Sequence, residues 1–506
     1  MSARAVRAAA PRVELCSALP RGPVAWWLLA GVAMGAALRF GFLSHQSLWT
    51  DEAATRHIVL APSIGDVWPR VRATESTPPL SYWLMWLLAH AAGSRSDAIL
   101  RLVPAVAGTL TIPAAYAALR RPLGTRVGLA LAWMCAVSPV LLWYSLDARA
   151  YALFVLLGTL NLWALFAALE RPDARRCALW AATAVLCVWT HYFAVFLVAG
   201  QLLYVVIATP NPVRTRLLAS AAAVALLCAP LLPLVSSQSN DGRTSFIANL
   251  TLSSRLEQLV RQFGMGPNVP SAALEGAGLL FAGAGLVVGA IAVARRNPRC
   301  ALLLALVAGV TAAIPLALTV TGIDRIFYMR NLLVIWPIVA GVAAVGLLRA
   351  RALPLVAYLG LCVATFLMIQ ADWRYQNPDW ATVAAPVRAQ LGSTPALVYP
   401  GVDAAVAGVY LGRSSGPGPV RTRRLGVIVE PGRTSGRGLQ SLPQYPGAAP
   451  PGLTLRATLS LPDGFRLLLY DADRRRSISS AGWPSDLLHG PPLFVSGAPS
   501  PGEGPP

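Results

Sequence analysis

Two short clusters hold residues able to do chemistry together. The first is Ser47-Leu48-Trp49-Thr50-Asp51-Glu52. Its adjacent carboxylates can take a proton from a hydroxyl as a general base, or Thr50 or Asp51 can simply open a helix as its N-cap. The second is Trp143-Tyr144-Ser145-Leu146-Asp147-Ala148-Arg149-Ala150-Tyr151. Asp147 and Arg149 can cap helix ends or pair with each other. Polar groups boxed this tightly between apolar runs are nevertheless costly unless used. A planar guanidinium at Arg149 can grip a phosphate through two of its oxygens.

The elements that must position these clusters read as membrane helices. Of 506 residues, 56% are hydrophobic and 13% charged, about half the charged fraction of a soluble domain. Apolar runs lie near 24–43, 102–119, 127–142, 150–169, 178–193, 194–209, 216–235, 276–294, 301–320, 331–348 and 353–370. Such runs have the length a bilayer core demands, and helices are the open structures that satisfy every backbone group there. The run at 24–43 reads as a retained first span rather than a signal peptide. A weaker segment, 79–92, is too short for a comfortable span and reads as a re-entrant or juxtamembrane helix.

The formal net charge is +20, and all 42 Lys or Arg positions are Arg. The arginines gather in alternate short loops, around 120–126, 171–176, 214–216, 295–299 and 349–351. That pattern reads as topology, not as nucleic-acid binding. It puts the N-terminus in the cytoplasm and both chemical clusters on the outer face, with the chain after 370. Seven scattered cysteines, without a C-x-x-C pair, exclude a disulfide framework or a Cys/His metal site.

The expected organisation is a cytoplasmic tail at 1–23 and a membrane domain at 24–370 with a large outer loop at 44–101. A small extracytoplasmic α/β domain follows at 371–475, then a disordered Pro/Gly/Ser-rich tail at 476–506. Strands are expected at 396–399, 453–461 and 465–470, and a helix at 379–391.

The ordered motifs resemble a known family. Asp51-Glu52 is followed by Thr77-Pro78-Pro79-Leu80-Ser81-Tyr82-Trp83, where Thr77 stands at a position usually His or Lys. Leu100-Arg101-Leu102-Val103-Pro104-Ala105, Ser138-Pro139, Tyr144 to Tyr151, Thr190-His191-Tyr192, Asp324 to Arg330 and Asn377-Pro378-Asp379-Trp380 follow in order. Together they resemble bacterial GT-C type glycosyltransferases, in the branch of protein O-mannosyltransferases (family 39-like) and lipopolysaccharide sugar transferases, the rhizobial galacturonosyltransferases among them.

The resemblance implies an all-α polytopic membrane protein of about 11–13 transmembrane helices in the plasma (inner) membrane. It implies a polyprenyl-phosphate-sugar donor, a hydroxyl acceptor and an inverting transfer. Asp51, Glu52 and Asp147 are then the catalytic candidates, with Asp51 as base. Arg149, Tyr144, Tyr151, His191, Tyr82, Arg325 and Arg330 are the candidates for substrate binding. The resemblance leaves open a divalent ion (magnesium or manganese) between Asp51 and Asp147. The alternatives are a lipid or sugar transporter or flippase, and a non-catalytic assembly protein. The acidic pair suits a base better than a translocation path, and no Gly/Pro-broken segments recur in two halves.

Overall fold

The computed structural model describes residues 22–239, 243–323, 326–416, 418–431, 434–435, 438–439, 452–480 and 493–497. Helices dominate as far as residue 371. They are α1 (Pro23–Phe40), α2 (Thr50–Val59), α3 (Ile64–Thr74), α4 (Leu80–Ala92), α5 (Asp97–Leu123), α6 (Thr125–Val137), α7 (Pro139–Ser145), α8 (Tyr151–Glu170), α9 (Ala174–Thr190) and α10 (Ala194–Ala208). There follow α11 (Asn211–Cys228), α12 (Leu232–Ser239), α13 (Ser245–Ala248), α14 (Leu252–Met265), α15 (Ala272–Arg296), α16 (Pro298–Val320), α17 (Trp336–Leu347) and α18 (Leu353–Ala371).

Among the described residues, eight helical segments are long and apolar enough to cross a membrane, or nine with the bent pair α6–α7. This is fewer than the 11–13 expected, because α9 and α10 have only 17 and 15 residues. With those two, the helices match the eleven apolar runs one for one. The 13-residue α4 covers 79–92 and is short of a span. The described cysteines are all unpaired, and Cys16 lies outside the described residues.

The bend between α6 and α7 is 55° and has a plain cause. Pro139 has no N–H to give to the Cys135 carbonyl, and it forces Ser138 out of the helical region, at φ −58° and ψ 121°. The freed carbonyls find a donor on α1. Buried Arg39 donates through Nη2 to Cys135 O at 3.0 Å and through Nη1 to Ala136 O at 3.2 Å. Its Nε donates to Ser145 Oγ at 3.0 Å. Arg39 is thus the splint of a broken span whose far end carries Asp147. Arg39→Met should leave those carbonyls without donors, at about 1–3 kcal/mol for each buried group. A lower thermal unfolding midpoint in detergent is the expected result, and an unchanged midpoint would show that the bend holds itself.

After α18 come α19 (Trp380–Leu391), β1 (Ala396–Tyr399), α20 (Ala404–Leu411), β2 (Ser414–Gly416), β3 (Val420–Val429), the small ribbon β4 (Thr434–Ser435) and β5 (Gly438–Leu439), β6 (Thr454–Ser460), β7 (Arg466–Ile478) and β8 (Leu493–Ser496). Six strands form one mixed sheet in the order β2-β8-β1-β3-β7-β6, with β1 and β3 parallel. Strand β8 lies within 476–506, the segment expected to be a disordered tail. Phe494 and Val495 are buried as β8 pairs with β1 and β2, and that apolar pair was masked by its Gly- and Pro-rich surroundings.

One face of the sheet packs on α19 and α20, and its core runs on into the 44–101 loop. Trp380, Val383 and Ile428 share a cluster with Leu48, Ala53, Met85 and Ala148. Polar contacts fasten the same seam. Ser47 Oγ donates to Asp379 Oδ1 at 2.7 Å, and the Leu48 N–H donates to Tyr410 Oη at 2.8 Å. The Thr50 hydroxyl bonds to Asp403, and the Tyr410 hydroxyl bonds to Asp97.

Candidate functional site

Helix α2 presents the acidic pair at its first turn, where carboxylates complement the exposed N–H groups. Successive residues on a helix point about 100° apart, so Asp51 and Glu52 face different surroundings. Glu52 is inside. Arg101 donates to it through Nε at 2.7 Å and Nη2 at 2.5 Å, while the Ala148 N–H reaches Oε1 at 2.8 Å and the Trp49 N–H reaches Oε2 at 3.3 Å. Its side chain is 1% exposed. The Asp51 side chain is 27% exposed and takes one partner, Arg330 Nη1, at 3.1 Å.

Arg330 follows Tyr328 at the start of the α17 span. Its guanidinium lies 5.7 Å from the Tyr151 ring, 5.4 Å from Phe246 and 5.4 Å from Tyr328, within cation–π range of all three. Tyr151 meets Tyr144 edge-on, with centroids 5.0 Å apart. Behind them His191 stacks on Phe154 at 4.5 Å. Its Nδ1 accepts from the Phe193 N–H at 3.3 Å.

Arg149 departs from its expected use. The fork expected to hold a phosphate holds a carboxylate: Nη1 and Nη2 donate to the two oxygens of Glu75, each at 2.6 Å. Nη1 also reaches Thr55 Oγ1 at 3.1 Å and the Asp51 carbonyl at 3.2 Å. Tyr82 is buried beneath this guanidinium at 5.9 Å, its hydroxyl 2.9 Å from Thr77 Oγ1. Glu75 was not among the sequence candidates. The signal for it was scarcity: with 22 acids against 42 arginines, an acid two residues before Thr77-Pro78-Pro79 was a ready partner for a buried Arg.

Asp147 sits in the turn between α7 and α8. Its Oδ1 accepts from the Trp49 indole at 3.0 Å, and its Oδ2 is buried without a hydrogen-bond partner. Burial, reinforced by the neighbouring Glu52 charge, holds its carboxyl well above the usual carboxylate range. Asp51 and Asp147 flank Trp49 and Glu52 rather than forming a ligand set. Among the described residues no three His, Cys, Asp or Glu gather to hold a metal, and Glu52 is fully engaged by Arg101 and backbone N–H groups. Arg325 lies outside the described residues.

Eleven apolar helices, a long first loop bearing the acidic pair, and a sheet domain docked upon it make up a multi-pass membrane protein of the GT-C fold. The structure of ArnT from Cupriavidus metallidurans in the apo state shares that fold over 89% of this chain and 98% of its own, with a TM-score of 0.57 at 14% identity. The same protein bound to undecaprenyl phosphate gives a TM-score of 0.53 at 15% identity, over 88% and 98%. The Archaeoglobus fulgidus oligosaccharyltransferase in complex with Zn and sulfate matches at 17% identity with a TM-score of 0.46, and the match covers 72% of this chain but only 55% of that one. No curated protein matches.

Residues 76–233 match the family model described as dolichyl-phosphate-mannose-protein mannosyltransferase. The matched segment contains Asp147, Arg149 and His191. Asp51 and Arg330 fall on either side of it, and the fold brings them together.

Proposed function

We propose that this protein is an inverting glycosyltransferase of the plasma membrane. It moves one sugar from a polyprenyl-phosphate donor to a hydroxyl of an envelope acceptor on the outer face. Asp51 takes the acceptor's proton. The freed oxygen attacks the anomeric carbon from the side opposite the phosphate. The bond from that carbon to the phosphate oxygen breaks, and polyprenyl phosphate leaves with both electrons of that bond. Arg330 draws off the growing phosphate charge.

The observation that carries this reading is the division of the acidic pair. Glu52 is sealed, whereas Asp51 is half-open beside a single guanidinium ringed by aromatic faces. The solved ArnT bound to undecaprenyl phosphate supports a lipid phosphate of that class as the donor's carrier. The arginine-rich loops fall at the end of the eleven-helix path opposite this site, which supports an outward-facing orientation.

The test is consumption of a labelled polyprenyl-phosphate sugar by purified protein, beside Arg330→Ala and Arg330→Lys. Turnover should fall about 10²-fold or more in the Ala variant, the usual worth of a positioned charge donor, and recover in part with Lys. A wild-type protein that carries the donor across vesicles without consuming it is a transporter. Normal turnover in the Ala variant would remove Arg330 from the leaving-group side.

A further inference from the structure

The sheet domain holds a concentration of charge that the transfer reaction does not use. Arg421, Arg423 and Arg424 on β3, Arg456 on β6, and Arg474 and Arg475 on β7 are all exposed. Strand pairing gathers them at one end of the sheet: Arg421 lies opposite Ser477, Thr422 opposite Arg476, and Arg424 opposite Asp471. A register shift between Thr422 and Arg424 turns Arg423 out beside Arg474 and Arg475. Two acids lie among them. Asp471 is shared by Arg424 at 3.5 Å and Arg456 at 3.8 Å, and Asp473 is exposed. Among the described residues, Arg421, Arg423, Arg474 and Arg475 form no salt bridge. Like charges held this close on a rigid sheet repel one another, and a polyanion relieves that repulsion.

Placement says which polyanion. The opposite end of the sheet faces the membrane helices. Glu430, just past β3, accepts from the Trp380 indole at 3.0 Å, and the neighbouring Asp379 binds Ser47 of the first outer loop. The turn at Gly464 between β6 and β7 lies against Trp373, just beyond the end of α18. From Val429 to Arg421 the strand climbs eight residues, about 26 Å at 3.3 Å each. That exceeds the Debye length of about 8 Å at physiological ionic strength, so the cluster stands electrostatically clear of the end of the sheet that packs on the membrane helices. The cluster looks outward into the envelope.

We propose that this arginine cluster docks an anionic glycan chain, one bearing carboxylates or phosphates along its length. Planar guanidinium groups bind such oxyanions in pairs. The inference rests on the outer-face placement proposed above. In the envelope a long anionic glycan is the polyanion that extends this far from the bilayer, and it is also the material a surface sugar transferase acts upon or beside.

The test uses the full chain in neutral-lipid nanodiscs with polygalacturonate as the probe, neutral dextran as control, and duplex DNA and phosphatidylglycerol vesicles as competitors. Wild-type protein should bind polygalacturonate, with affinity falling steeply as salt rises. Arg421→Ser, Arg423→Ser and Arg475→Ser combined should weaken binding at least tenfold and flatten the salt dependence. Donor consumption with a short neutral acceptor should not change. Binding unaltered in the triple variant would overturn the proposal, as would preference for the vesicles or the DNA. Loss of donor consumption is read separately, so failure of the transferase reading and failure of the docking reading are distinguishable.

Discussion

Asp51→Asn should lower turnover by about 10²–10⁴-fold, the usual worth of a positioned base, while the protein stays folded. Asn keeps the shape of Asp and can still accept from Arg330 Nη1 at the observed 3.1 Å. What it loses is the basic oxygen. Donor binding should change much less than turnover. Glu52→Gln is the informative companion. It leaves the Arg101 guanidinium buried beside a neutral amide, and breaking a buried pair costs about 3–5 kcal/mol. Its expected signature is therefore a lower unfolding midpoint in detergent, with turnover falling only as folded protein is lost. A stable Glu52→Gln without turnover, beside a working Asp51→Asn, would move the base to Glu52. Normal turnover in both would end the mechanism.

Arg149→Ala should be among the most destabilising single changes around the site. It strips Glu75 of both its 2.6 Å bonds and leaves a buried carboxylate without its counter-charge, at about 3–5 kcal/mol. Arg149→Lys should restore part of this, since one ammonium cannot satisfy two carboxylate oxygens, Thr55 and the Asp51 carbonyl together. Replacing both partners, as Arg149→Met with Glu75→Leu, should regain most of the lost stability, because apolar groups of similar size need no counter-charge. Thermal unfolding and donor affinity, measured side by side, decide the role. A normal midpoint with lost donor affinity in Arg149→Ala would return the guanidinium to the lipid phosphate. Through the Asp51 carbonyl, Arg149 also sets where the proposed base stands, so even the stabilised double variant should turn over slowly.

The membrane architecture was legible because bilayer length and loop arginines act locally along the chain. Each apolar run became helical, two of them as consecutive helices, and the short 79–92 segment stayed short. In the sheet domain, β1 and α19 were legible from their apolar patterns. Strand β3 was not, because four of its ten residues are the polar run Arg421 to Arg424. Asp51, Asp147, Tyr144, Tyr151 and Arg330 were legible as polar or aromatic residues next to span ends, and the fold brings Arg330 to Asp51 and Tyr151, Tyr151 to Tyr144, and Asp147 to Trp49. Partnership was not. Arg149 meets Glu75 across 74 residues, and Arg330 meets Asp51 across 279. Nothing local says which Arg serves a carboxylate within the protein and which is left to face a ligand. Burial decides that, and burial is a property of the folded chain.

The seam between the 44–101 loop and the sheet domain also sets a clock. Leu48 is held by Tyr410 across 362 residues, and Thr50 by Asp403 across 353. A chain made from its N-terminus at about 5–20 residues per second therefore inserts α1 and α2 roughly 20–70 s before their partners emerge. During that interval the helix bearing Asp51 lacks the contacts that seat its first turn. On the proposed mechanism the nascent protein is inactive while its spans are still assembling, and the proposed base is seated only once the sheet domain has left the ribosome.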